Sequence, residues 1–502
     1  MFDRRRFLKS LGALGVSTGI PKLTAYPFDL GVASGYPTAE SVVLWTRLTG
    51  DLAQLSIPVR WEVFADESLK SLVSGGEMSA DPAWAHSLHV EVQGLEPERW
   101  YWYRFSSGDA RSPVGRTRTA PRADAAVDRL RFIFASCQQY EQGYYGAYRH
   151  VVTDAPDLVA FLGDYIYEST WGKDHVRSHG SPEPYTLEDY RARHALYRSD
   201  PDLQAAHAAC PWILTWDDHE VDNDYADDRP EDGMGREAFL ERRAAAYRAY
   251  FEHMPLPPRM RPEGPRMRIH TYLEWGKLAR FHIVDTRQHR SWQACPRPNR
   301  RGGSNTVDIE ECPRLGTPGR SMLGRAQERW LARSLAESRA AWNVVAQTTP
   351  MAQFDTKPGP GRLAWTDGWD GYPAARQRFL NFLSSKKIPN PVVLSGDVHS
   401  FNACQLKLDF DDFAAPVVAS EFVTTSITSQ AWAQERLNQY LPDNPHILLA
   451  DSRFRGYTRA DVSARRMQVD LRAVENVQRR ETPCSTLASF VVEDGKPGPL
   501  RA

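Results

Sequence analysis

The chain has 502 residues, 41% hydrophobic and 25% charged, and a formal net charge of −1. That length exceeds what one hydrophobic core supports and implies two domains. The near-neutral balance gives no electrostatic case for specific nucleic-acid binding or an anionic membrane surface, and no apolar run beyond the N-terminus approaches a membrane span.

Residues 1–25 are an address rather than part of the fold. The run Asp3-Arg4-Arg5-Arg6-Phe7-Leu8-Lys9 resembles the twin-arginine export signal, and residues 11–20 (LGALGVSTGI) supply a short, weakly apolar stretch behind it. The expected partner is the twin-arginine translocation machinery, and the expected location is periplasmic or secreted.

Residues 26–121 read as all-β. Short alternating runs at 42–45, 58–63 and 89–92 are separated by Gly, Pro, Asp and Ser. Gly94-Leu95-Glu96-Pro97 followed by Tyr101 has the spacing of the tyrosine corner in immunoglobulin/fibronectin-like sandwiches. No cluster of ligating side chains lies here, so the expected role is structural. Residues 122–128 (RADAAVD) read as a linker, and 129–502 as a second domain.

From residue 129 strand and helix alternate. Helices are expected at 143–153, 187–197, 236–253, 324–339 and 374–387, with strands at 268–273, 278–285, 342–347, 391–395, 416–424 and 467–473. Helices outside sheets, in three layers, follow from that alternation.

Six cysteines are too few for a disulfide scaffold. Cys295 and Cys312 flank a polar, Gly- and Arg-rich loop and are suited to close it, while Cys210, Cys404 and Cys484 read as buried structural thiols. Cys137 differs, because the apolar run 130–134 leads through Ala135-Ser136 to it, at a strand end beside the other candidate ligands.

Three other apolar runs end the same way. Residues 158–162 run into Gly163, Asp164 and Tyr167; residues 213–216 into Asp217-Asp218-His219-Glu220; residues 392–394 into Gly396-Asp397-Val398-His399. Ligands of open α/β sheets bind at the carboxyl ends of strands, so four strand ends carrying Asp, His, Cys and Tyr describe a metal site. A carboxylate shared by two metals holds them about 3.5–4 Å apart, a spacing suited to attack on a phosphoryl group by a metal-bound hydroxide. Thiolate and phenolate are anionic donors that favour a trivalent iron. His219 is placed to donate a proton to a leaving alkoxide or to hold a phosphate oxygen. Arg287 is placed either to clamp a phosphate or to pair with an acid such as Asp285. Asp222 and Asp224 read as solvated loop charges. Trp365, Trp369 and Tyr372, in a Gly-rich loop, read equally as a wall of the site or as core.

The blocks FASC (134–137), GDYIYE (163–168), WDDHEVDNDY (216–225) and SGDVHSF (395–401) resemble the PhoD-like alkaline phosphatase/phosphodiesterases of the calcineurin-like metallophosphoesterase superfamily. Residues 31–48 resemble that family's N-terminal domain, with Tyr36 where Asp is expected, and DTRQHR (285–290) and SEFVTTSI (420–427) extend the match. The resemblance implies a multi-domain fold: an N-terminal β-sandwich, then a four-layer α/β/β/α metallophosphoesterase domain. It implies iron(III), Fe(3+), with calcium, Ca(2+), at the partner sites. Carried over by position, Cys137, Asp164, Tyr167 and His399 hold the iron, and Asp164 bridges to a second metal shared with Asp218 and Asp397. Which of Asp217, Asp218 and Asn223 ligates stays open, and Gln347 is the candidate for the superfamily's isolated metal ligand. The expected activity is hydrolysis of phosphate mono- or diesters. A mononuclear iron oxygenase and a cell-surface binding protein with structural metals are the alternatives.

Overall fold

In the computed structural model, which describes residues 26–502 other than Ala53, three of the four expected strand ends lie side by side at the centre of one sheet. Leu130–Ala135, Leu158–Leu162 and Trp212–Thr215 are parallel neighbours, Val159 standing opposite Ile133 on one side and Trp212 on the other. Strands buried on both faces read as continuous apolar runs, which is why these segments stand out in the sequence. The sheet has ten strands: Arg455–Val462, Arg466–Val474, Cys484–Glu493 and Lys496–Arg501 extend it antiparallel beyond Leu130–Ala135. Only residues 467–473 of that extension are predicted from the sequence.

The fourth strand end, Pro391–Ser395, belongs to a second sheet of seven strands, flanked there by Trp342–Ala346 and Val417–Val423 in parallel. Side-chain alternation splits these strands between two cores. Val344, Ala346, Val392 and Leu394 face the ten-stranded sheet in the main core, where Phe281 meets Phe132 edge-to-face at 5.1 Å. Val345 and Val393 face the other way, onto Leu331 and Leu335 of the helix Gly324–Ala336 and Leu380 and Leu383 of the helix Pro373–Lys386. The outer face of the ten-stranded sheet is covered by Ala147–Asp154, Leu187–Arg198 and Arg236–His253. The helix Pro201–Ala209 is absent from the expected set, although Asp200 at its N-cap and Pro201 at its first position announce it.

The N-terminal strands form two facing sheets with one shared core, in which Val42, Leu44 and Val90 meet Val59, Val63 and Tyr103. The Tyr101 hydroxyl accepts from Glu96 N at 2.8 Å, the contact expected of a tyrosine corner. One of these sheets does not end at a domain boundary. Val32–Gly35, Ser41–Arg47 and Ser87–Gln93 continue the ten-stranded sheet, with Gly35 pairing in parallel with Trp212. Tyr36 secures that seam: its hydroxyl donates to Leu214 O at 2.9 Å. Trp45 adds a second tie, donating to Glu252 O at 3.1 Å.

Candidate metal centre

Each strand end turns sharply into the same crevice. Cys137, Asp164, Asp397 and His399 all hold left-handed backbone, with φ of 59°, 58°, 69° and 56°. Non-glycine residues hold this conformation only where the surroundings over-determine it, and such residues gather at functional sites. The glycines beside two of these residues permit close approach. A Cβ on Gly163 would lie 2.6 Å from Asp217 Cβ, and one on Gly396 would lie 2.7 Å from Ser136 Cβ. These clashes explain why Gly precedes Asp in both blocks. Cys137 N donates to Gly163 O at 3.1 Å, stitching the first two turns together.

Donor atoms of Cys137, Asp164 and His399 lie within 4.8 Å of one another, as do those of Asp164, Asp218 and His219. Asp164 stands in both groups. The Tyr167 hydroxyl joins the first group, 3.0 Å from Asp164 Oδ2, 3.2 Å from His399 Nε2 and 2.9 Å from Ser429 Oγ. Asp397 stands beside the two groups. Its Oδ2, like Asp164 Oδ1 and Asp217 Oδ2, is buried without a hydrogen-bond partner. Buried carboxylate oxygens left unpaired are costly unless a cation meets them. Burial, together with the carboxylates of Asp217 and Asp218, pushes Asp164 and Asp397 well above the usual carboxylate range. Burial and then Asp164 push Cys137 and Tyr167 up in the same way. Acidic groups outnumber basic ones around these donors, so the set fits cations.

Asp217, Asp218 and Asn223 now separate. Asp218 joins Asp164 and His219, whereas Asn223 turns its amide to Glu231 Oε2 at 2.8 Å. Asp217 Oδ1 accepts from Arg287 Nε at 2.5 Å and Thr348 Oγ1 at 2.8 Å. Burial works against ionisation of Asp218, but Arg287 and His219 hold it below the usual range. His219 packs its ring 4.1 Å from that of Tyr167, with Nδ1 2.7 Å from Glu168 Oε2. Burial disfavours its charge, yet Glu168, Asp218 and Asp164 together raise it well above the ordinary histidine value.

Several expectations need correction. Arg287 does not offer its guanidinium to a phosphate: it is 0% exposed and faces Asp217, Asp218 at 3.3 Å and Asp367 at 2.8 Å. Of the two roles open to it, ion pairing is the one realised, with acids other than Asp285. Gln347 cannot serve as a ligand, because its amide bonds Thr349 O and Ser395 Oγ and accepts from Trp369 Nε1. Trp369 and Tyr372 belong to the core behind the seven-stranded sheet. Asp222 and Asp224 are not solvated: the first pairs with Arg242 at 2.9 Å, and the second accepts from Ser304 N. Cys295 and Cys312 form the disulfide, while Cys484 is half-buried rather than buried.

Two acids carry no sign of their role in the sequence. Glu168 orients His219, and Glu220 accepts from Asp164 N, Tyr165 N and Asp217 N at 3.1, 2.6 and 2.8 Å, tying two strand ends together. Glu220 lies in the block that also holds Asp217, Asp218 and His219, so its position is visible; its bonding to the backbone of a distant strand is not.

The fold and the donor set together gather a carboxylate-rich group that could hold metal ions at the ends of parallel strands, an arrangement suited to hydrolytic chemistry. Comparison with known proteins makes this specific. The family model of the PhoD-like phosphatase matches residues 132–471, and that of the PhoD-like phosphatase N-terminal domain matches 15–121. The chain is 44% identical to alkaline phosphatase D of Bacillus subtilis (strain 168), over 99% of this chain and 88% of that protein. A solved structure of PhoD superposes with a TM-score of 0.91 at 45% identity, covering 96% of this chain and 93% of that one. The chain belongs to the PhoD-like phosphatases, hydrolases of phosphoric ester bonds.

Proposed function

We propose that this phosphatase hydrolyses phosphate mono- or diesters outside the cytoplasm, with iron(III) and calcium held at the strand ends. The observation that carries the reading is Asp164, common to both donor groups. Cys137, Asp164, Tyr167 and His399 would hold the iron, and Asp164, Asp218 and Asp397 the calcium. When bound, such cations lower the pKa of water and neutralise charge on phosphoryl oxygens. The protein's own part is positional and protonic. Glu168 fixes the His219 ring by its Nδ1 contact and favours the imidazolium. His219 is thereby prepared to give a proton to the departing alkoxide. Arg287 holds Asp217 and Asp218 in place from behind.

On the same reading the N-terminal strands are an immunoglobulin/fibronectin-like sandwich, supported by the Tyr101 corner. The remainder is a four-layer α/β/β/α domain, supported by helices outside each of two facing sheets. Export through the twin-arginine route rests on Arg4 and Arg5, which lie outside the described residues, and a disulfide suits an oxidising compartment. Release of phosphate from aryl phosphate mono- and diesters is the test. Activity abolished by chelator and restored by metal supports the reading; a protein inactive on both esters points to a binding role with structural metals.

A further inference from the structure

Beside the carboxylates sits a small lobe that contributes no donor to the candidate metal groups. Among the described residues its two strands, Thr306–Asp308 and Leu363–Trp365, pair only with each other. Its apolar cluster is slight: Ala294, Cys312, Leu315 and Ala364 are buried, with Cys295, Val307 and Ile309 against them. A core of that size does not hold a lobe in place unaided, and small units of this kind depend on staples. The staple here is the Cys295–Cys312 disulfide, which closes a segment 17 residues apart in sequence.

The lobe grips the site at two points. Ser304 N donates to Asp224 Oδ2 at 3.1 Å, and Asp224 N donates in turn to Asp218 Oδ2 at 2.6 Å. Asp367 Oδ2 meets the Arg287 guanidinium at 2.8 Å, and that guanidinium reaches Asp217 Oδ1 and Asp218 Oδ1. The two grips are joined within the lobe, since Asn305 and Thr366 exchange hydrogen bonds at 2.8 Å. Gln293 Nε2 bridges them as well, 2.6 Å from Asp224 O and 2.7 Å from Asp367 Oδ1. Asp218 Oδ2 thus accepts a hydrogen bond from a residue that the lobe holds, and Asp218 Oδ1 lies 3.3 Å from the guanidinium that Asp367 faces.

We propose that the disulfide-stapled lobe is a clamp on Asp217 and Asp218, in which Asp224 and Asp367 are positioning residues and the Cys295–Cys312 bridge is the redox-sensitive pin. This rests on the phosphoesterase reading. Opening the pin takes two electrons and two protons from a dithiol, which leaves as its own disulfide while Cys295 and Cys312 become thiols. The lobe then loosens, Asp218 loses its fixed orientation, and turnover falls while substrate affinity does not.

The test compares wild type, wild type reduced with dithiothreitol, Asp367→Asn, and Cys295→Ser/Cys312→Ser, with Cys484→Ser as the thiol control. In the first three altered states kcat falls about tenfold with KM nearly unchanged, and the calcium concentration giving half-maximal activity rises, as expected when support of a metal ligand is lost. In metal-free protein, amide exchange at Asp224 and Ser304 accelerates in the reduced and double-serine forms, because those N–H groups are the grips. Dithiothreitol has no further effect on the double-serine variant; a further loss there would place the redox effect at Cys137 or iron and overturn the pin. Equal kcat, calcium requirement and exchange in bridged and reduced protein would overturn the clamp. Amide exchange distinguishes failure of the clamp from failure of the phosphoesterase reading, since it is read even if wild type releases no phosphate.

Discussion

Left-handed backbone at Cys137, Asp164, Asp397 and His399 costs on the order of 1–3 kcal/mol at each position. The chain bears that cost where ordinary backbone would turn the donors away from a common point. Tyr167 needs no such strain, since it follows Asp164 by three residues and reaches back with its hydroxyl at 3.0 Å. Phenolate and thiolate on iron(III) give charge-transfer absorption in the visible, whereas zinc and calcium give none. Purified protein is therefore expected to be coloured. Tyr167→Phe keeps the buried ring and removes the donor oxygen, so the band should bleach or shift and activity should fall by at least about tenfold. Cys137→Ser replaces an anionic donor with a neutral one and should weaken iron binding. A colourless, iron-free and fully active wild type, by absorption and elemental analysis, would remove iron and leave the carboxylate centre standing.

At the level of elements, legibility follows burial. The parallel strands Leu158–Leu162 and Pro391–Ser395 carry unbroken apolar runs, 158–162 and 391–394, and lead into Gly-Asp, so both strand and candidate ligand are readable. The helix Arg236–His253 matches its expected bounds. The outer antiparallel strands are mostly hidden: Lys496–Arg501 is largely exposed and carries little apolar signal, and Cys484–Glu493 opens on the polar residues Ser485 and Thr486 before its apolar half. Tertiary pairing rather than local propensity makes them strands. The same limit hides the ion-pair partners of the site. Arg287 reads in sequence as either a phosphate clamp or the partner of an acid such as Asp285, because nothing local reveals Asp217 and Asp367, respectively 70 residues before it and 80 after it in sequence, packed against it. Glu168 and Glu220 are silent for the converse reason: each lies inside a recognised block but acts on a partner more than 50 residues away.

Across the whole molecule, the N-terminal strands have a core of their own and yet continue the ten-stranded sheet. Gly35, Tyr36 and Trp45 bind them to the strand Trp212–Thr215 and the helix Arg236–His253. Such ties across the seam suit the proposed export of an already folded chain. Lys at both Arg4 and Arg5 removes the paired guanidinium groups, so cell fractionation should find the variant retained in the cytoplasm; unchanged export would mean that these arginines are not the address. The proposed dinuclear centre turns on Asp164, the residue common to both donor groups. Metal content by elemental analysis, measured on Asp164→Ala beside wild type together with aryl phosphate hydrolysis, tests it most directly. The expected result is loss of metal from both sites and of hydrolysis, with the fold retained. An Asp164→Ala protein with full metal content and wild-type turnover would contradict a centre built on a shared carboxylate.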